Sequence, residues 1–218
     1  MIDYKGIKIT WLGHDGFKIQ DDSSTLVIDP FQISGEARAD YVLVSHEHSD
    51  HCNSEDLKKV LKPSSVVVAI ASCKDELSKV KPKEIKTVKP GDIVKIGGFE
   101  IRALPAYNTN KYREPGKHFH PKSEGKVGYF IKASNGTTLY HTGDSDLIPE
   151  MENLRPDVAF VPVSGTYVMT SDEAVEAVSK IKPKLAIPMH YGSIVGSLAD
   201  AENFKKKAQA EVQILSKE

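Results

Sequence analysis

The sequence predicts an α/β domain assembled from two halves, each running from strands into helices. Three observations predict it. Short β-branched runs are broken by Gly, Asp and Ser turns, amphipathic helical segments follow the runs, and the length of 218 residues suits one layered domain. No repeat, low-complexity tract or Pro/Ser-rich linker divides the chain, so residues 1–218 are read as one domain.

In the first half IKITWL (7–12), GFKIQ (16–20), TLVIDP (25–30) and YVLVS (41–45) read as strands. In NSEDLKKVLK, Asn53 or Ser54 can cap a helix whose first turn sets Glu55 and Asp56 against the helix dipole, with Leu57, Val60 and Leu61 on one face. SVVVAIA (65–71) reads as a buried strand, Lys74 to Val80 as a short helix, and residues 91–104 as a hairpin turning at Gly97-Gly98. Residues 105–126 have no periodicity, and an aperiodic stretch that long in a compact domain is expected to be functional. It is read as an active-site loop.

The second half offers VGYFIKA (127–133), TTLYHTG (137–143), VAFVPV (158–163) and LAIPMH (185–190) as strands. Between the last two lies the helix SDEAVEAVSKI, with Thr170 or Ser171 as cap and Glu173 in capping-box reach. A final helix, about Leu198 to Ala210, precedes a VQIL strand.

Charged residues make up 27% of the chain and the net charge is −1, so bulk attraction to a polyanion or a membrane surface is not expected. The N-terminus has no basic segment followed by an apolar one, and no run approaches the roughly 18 apolar residues of a membrane span. Cys52 and Cys73 are too few for a disulfide framework and suit a reducing compartment. A cytoplasmic protein is expected, with a homo-oligomer left open.

The densest chemical signal is SHEHSDHC, just past the strand YVLVS. His46 and His48 are two apart, so in an extended segment both imidazoles point the same way, and Asp50 and His51 follow after a slight turn. Imidazole and carboxylate are the ligands Zn²⁺ favours. Three of the chain's eight histidines in one hexapeptide exceed what an ordinary polar loop supplies. Metal binding is expected there.

This H-x-H-x-D-H after a strand, Gly-Asp after a later strand and His after another together resemble the metallo-β-lactamase superfamily over nearly the whole chain. WLGHDGF, IDP, YHTGD and PMHYG resemble, within it, small Zn-dependent hydrolases related to ascorbate-6-phosphate lactonase and to phospholipase D relatives. The resemblance implies a four-layer αββα sandwich, two mixed sheets with helices on the outer faces. It also implies two metal sites, with Asp144 bridging the metals and His190 a ligand of the second. Zn²⁺ is the expected cation, with Mn²⁺ and Fe²⁺ open. The superfamily's usual Pro-Ala-x-His ligand is missing, because Pro105-Ala106-Tyr107 is followed by Asn108. Either the first site is weak, with Asn108 as a poorer ligand, or His118 or His120 reaches in from the long loop, and His120 is favoured because Pro121 restricts the backbone before it.

A metal pair of this kind makes hydroxide available near neutral pH, so no Ser or Cys nucleophile is needed. Asp50 and Asp144 are expected to orient that hydroxide and shuttle a proton. Asp29 is a candidate partner for a ligand imidazole. His14, Asn108, Tyr167 and Tyr191 are candidates to contact substrate, whereas His141 is expected beneath the site and Cys52 in the core. Lys111, Arg113, Lys117, Lys122 and Lys126 outnumber Glu114 and Glu124 in the long loop, which favours an anionic substrate. The expected activity is hydrolysis of an ester, lactone or phosphoester in a small molecule. A nuclease, an iron-dependent oxygenase and a non-catalytic metal-binding module are the alternatives.

Overall fold

A computed structural model describes residues 1–218 as two seven-stranded mixed sheets packed face to face, with helices. The first sheet is built in chain order. It contains β1 (Ile2–Tyr4), β2 (Ile7–Gly13), β3 (Gly16–Gln20), β4 (Thr25–Ile28), β5 (Ala39–Val44), β6 (Leu61–Ile70) and β7 (Glu84–Val88), with α1 (Ser54–Val60) and α2 (Lys74–Leu77) in the crossovers. Strands β1 to β4 pair antiparallel through short turns, and β4 to β7 pair parallel. Parallel pairing requires longer crossovers, and α1 and α2 occupy two of them. Asn53 caps α1 by accepting from the amides of Glu55 and Asp56.

The second sheet repeats that plan. A hairpin of β8 (Ile93–Ile96) and β9 (Phe99–Pro105) leads into the long loop. There β10 (Tyr112–Glu114) and β11 (Lys117–His118) form a small ribbon. Next come β12 (Val127–Lys132), β13 (Thr138–His141), β14 (Val158–Pro162), α3 (Ser171–Ile181), β15 (Leu185–Met189), α4 (Leu198–Lys207) and β16 (Glu211–Val212). The order is β16-β15-β14-β13-β12-β9-β8, parallel from β13 to β16 and antiparallel elsewhere. The expected Thr170 capping box with Glu173 starts α3, which packs on α4 and β14.

Aromatic contacts join the sheets. Tyr129 of β12 donates its hydroxyl to the Val44 carbonyl of β5 at 2.7 Å, and Phe17 of β3 meets Phe160 of β14 at 4.2 Å between ring centres. One apolar core runs through both sheets. Three expectations change. The EIKTV segment forms β7, a strand the periodicity does not mark, because an edge strand buries little and needs few apolar residues. The last helix stops at Lys207, and the VQIL strand contracts to Glu211–Val212. The long loop carries a ribbon and a 3₁₀ turn at Lys122–Glu124, so part of it is ordered by its own backbone bonds. No helix is long and apolar enough to cross a membrane.

Candidate metal centre

The site lies where carboxyl ends of strands from both sheets meet, the usual place for a ligand in open α/β sheets. The loop after β5 supplies His46, His48, Asp50 and His51. Asp144 follows β13, His190 follows β15, His14 follows β2, and the long loop after β9 brings His120. Two of these positions, with two neighbours of the site, have a backbone that L-residues rarely adopt: φ is 50° at His14 and 59° at His190, and 41° at Asp29 and 69° at Tyr167. Clustered left-handed non-glycine residues are strained, and such strain collects at functional sites.

Four imidazoles share one pattern. The Nδ1 atom of His46 lies 3.0 Å from Ser45 Oγ, that of His51 2.9 Å from Asp29 Oδ2, that of His120 3.1 Å from Asn108 Oδ1, and that of His190 2.9 Å from Ser164 Oγ. Each outer bond fixes the ring and turns Nε2 inward, as metal-ligating histidines require. The Nε2 atoms of His46, His51 and His190 are buried without any hydrogen-bond partner, and so is Oδ1 of Asp144. Buried polar atoms are normally paired. Orphaned atoms converging on one centre fit a cation.

The donors form three groups, one of which, Asp15, His51, Asp144 and His190, contains Asp144 itself. His46, His48 and His120 offer atoms all within 4.8 Å of one another, and so do His14, Asp50, His51 and His190. Asp144 stands between these two. Its Oδ2 is 3.4 Å from His120 Nε2, 3.9 Å from His46 Nε2 and 3.5 Å from His190 Nε2, while Oδ1 is 3.4 Å from His51 Nε2. Gly143 makes this position reachable. It has φ of 61°, and a Cβ there would lie 2.6 Å from the Val127 carbonyl.

Electrostatics distinguish the imidazoles, and burial lowers His14 as well. Burial pushes the His46 imidazole well below its ordinary range and the His120 imidazole down to about 4, so both favour the neutral, ligand-competent form. Burial opposes a charge on His51 and His190 too, but carboxylates prevail. Asp144, Asp50 and Asp29 hold His51 well above its usual value, and Asp144 with Asp15 raises His190 to about 9. Burial would raise Asp144, yet His51 and His190 keep it well below the carboxylate range.

The other expected residues fall in definite places. His118 stacks on Tyr112 in the ribbon, 4.3 Å between ring centres, apart from the clusters. Asn108, expected at the substrate rim, is buried, and its amide is engaged. Oδ1 accepts from the His120 backbone N–H at 2.8 Å, and Nδ2 donates to the Tyr167 carbonyl at 2.9 Å. Asn108 thus orients His120, which clusters with His46 and His48. His14 sets Nε2 3.1 Å from Asp50 Oδ2. Tyr191, also expected at the rim, is buried and stacks on Trp11 at 4.8 Å, whereas Tyr167 is exposed and meets Phe119 edge-on. His141 is buried beneath the site, 2.9 Å from the Asp15 carbonyl, and both cysteines are free and buried. The basic loop is largely neutralised by Lys111–Glu173, Lys117–Glu114 and Lys122–Glu150 pairs.

Two residues escaped the sequence reading. Asp15 is fully buried with both carboxylate oxygens unpartnered, and Oδ2 lies 3.7 Å from His51 Nε2. Lys126, counted before only as loop charge, is buried, with Nζ 2.5 Å from Glu47 and 3.4 Å from His48 Nε2. Nothing local marks either one. Asp15 sits in a hairpin turn, and Lys126 reaches its place only when β12 docks beside the loop after β5.

Residues 8–190 match the family described as the Beta-lactamase superfamily domain. A UPF0173 metal-dependent hydrolase of Thermoplasma acidophilum is 34% identical over 216 residues, 94% of this chain and 92% of the relative. A UPF0173 protein of Pyrococcus furiosus is 34% identical over 212 residues, covering 93% and 91%. Among solved structures, a Parabacteroides distasonis protein described as a metal-dependent hydrolase superposes with a TM-score of 0.81 at 30% identity, over 96% of this chain and 94% of that one. The novel metallo hydrolase Igni18 of Ignicoccus hospitalis shares the fold, with a TM-score of 0.75 at 23% identity over 96% and 95%. The chain therefore belongs to the metallo-β-lactamase superfamily and, within it, to the UPF0173 metal-dependent hydrolases.

Proposed function

We propose that this protein is a two-cation hydrolase of an ester, lactone or phosphoester bond in a small anionic substrate. One observation carries the reading: imidazole Nε2 atoms, each ring fixed through Nδ1, converge with the unpaired Oδ1 of Asp144 in a buried centre. His46, His48 and His120 would hold one cation, a set that suits Zn²⁺. Asp50, His51 and His190 would hold the other, suiting Zn²⁺, Mn²⁺ or Fe²⁺, with Asp144 between the two. When bound, the cations supply Lewis acidity that polarises the scissile group and makes a water nucleophile available near neutral pH.

The chain's own groups do the rest. Asp50 is the most exposed carboxylate of the centre, its side chain 18% accessible, and it accepts from His14 Nε2–H. His14 thereby fixes Asp50, which can orient the attacking water and pass its proton toward the leaving group. Lys126 lies 3.4 Å from His48 Nε2, and its ammonium can meet a phosphate or carboxylate on the substrate once Glu47 and Glu124 yield. A cytoplasmic setting accords with two free thiols.

A panel of esters, lactones and phosphodiesters assayed with the metal-loaded protein tests the proposal. Turnover on an anionic member that His48→Ala abolishes is the expected result. Full metal loading with no turnover across the panel would instead support a non-catalytic binding module.

A further inference from the structure

We infer that Asp15 is a ligand of the second cation, and that it makes this site select a six-coordinate cation of the Mn²⁺ or Fe²⁺ class over four-coordinate Zn²⁺. The inference rests on the two-cation reading above.

The Gly13-His14-Asp15-Gly16 turn joins β2 to β3. His14 takes φ of 50° and Gly13 φ of 102°, and a Cβ on Gly16 would lie 3.0 Å from the Gly13 carbonyl. This tight, strained turn sends two consecutive side chains into one centre from different sides. His14 arrives beside Asp50, whereas Asp15 arrives beside Asp144. Two overlapping four-donor sets result: His14, Asp50, His51 and His190, and Asp15, His51, Asp144 and His190, with donor atoms in each set all within 4.8 Å of one another. His51 and His190 belong to both. The two sets together comprise six side chains, three of them carboxylates, arranged around the shared His51 and His190.

A purely structural Asp15 would need protein partners for its carboxylate. It has no hydrogen-bond partner: exposure is 0%, and the nearest basic atom, His51 Nε2, stands 3.7 Å from Oδ2. Only its backbone carbonyl is used, by His141. An unpaired carboxylate sealed from water is among the costliest groups to bury, and cation coordination removes the cost. The added carboxylate also bears on the metal class. Zn²⁺ favours four ligands rich in imidazole, whereas carboxylate-rich sites that admit further oxygen ligands suit Mn²⁺ and octahedral Fe²⁺.

Wild-type protein crystallised with Mn²⁺ and located by anomalous diffraction tests the geometry without any variant. Two cations are expected, with an Asp15 oxygen about 2.0–2.4 Å from the second. Two cations with Asp15 more than about 3.5 Å away would overturn this inference and leave the two-cation reading standing. One cation or none would overturn both. In solution, Asp15→Asn is expected to weaken the second Mn²⁺, followed by the electron paramagnetic resonance of free Mn²⁺, by at least about tenfold, and Zn²⁺ by no more than about twofold. Unchanged Mn²⁺ affinity, or an equal loss for both metals, would contradict the assignment.

Discussion

At the scale of single residues, function depends on what holds each imidazole from behind. Asp29 shows this best. Its carboxylate accepts from the Ser45 backbone N–H at 2.7 Å, the Ser45 hydroxyl at 2.6 Å and His51 Nδ1 at 2.9 Å, so one buried group fixes both the loop and a donor ring. Asp29→Asn should weaken the second cation by roughly 10–100-fold with the fold intact, and Asn108→Ala should do the same to the first. Calorimetric metal titration reads both, and equal affinities would remove these residues from the site. Lys126→Met should raise KM for an anionic substrate by about 10–100-fold, since a charge-assisted hydrogen bond contributes about 1.5–3 kcal/mol. A neutral analogue should be unaffected. His46 to His51 could be read from sequence because the spacing alone brings those side chains together. The role of Asn108 could not, because it depends on a partner twelve positions away across a loop without periodicity.

At the scale of elements, the strand ends position the donors, and backbone packing sets how closely they approach. Gly143→Ala should destabilise the protein by at least about 2 kcal/mol, since alanine resists φ of 61° and its methyl would strike the Val127 carbonyl. Urea unfolding measures it, together with reduced metal loading through displaced Asp144. Asp157, at the start of β14, binds three segments: it accepts from Thr138 N at 2.9 Å, Lys184 Nζ at 2.9 Å and Lys5 Nζ at 3.1 Å. Burial opposes its ionisation, but these donors hold the carboxyl well below its ordinary range. A depressed value means that the stabilisation is complete above the unfolded pKa of about 3.9 and is lost as pH falls through the lower folded value. Asp157→Asn should therefore cost about 1–2 kcal/mol at pH 7, and the gap to wild type should close in strong acid. Most strands were legible because alternating burial leaves a pattern, as in GFKIQ. β7 was not, since an edge strand carries its sequence signal only weakly.

At the scale of the whole molecule, the two halves matter because neither completes the site alone. The first sheet brings His14, Asp15 and the His46–His51 loop, while the second brings His120, Asp144 and His190. Their meeting depends on contacts such as Tyr129 to Val44 that join the sheets. That is why the fold class could be read from runs of strand and helix, whereas the pairing of Asp144 with His51 rested on family resemblance until the structure placed them 3.4 Å apart. The most direct test of a two-cation centre is the number of metal ions retained per chain after dialysis, measured by elemental analysis for wild type and His120→Ala. Two ions in the wild type and one in the variant are expected. A single ion in the wild type, or two retained without His120, would contradict the account.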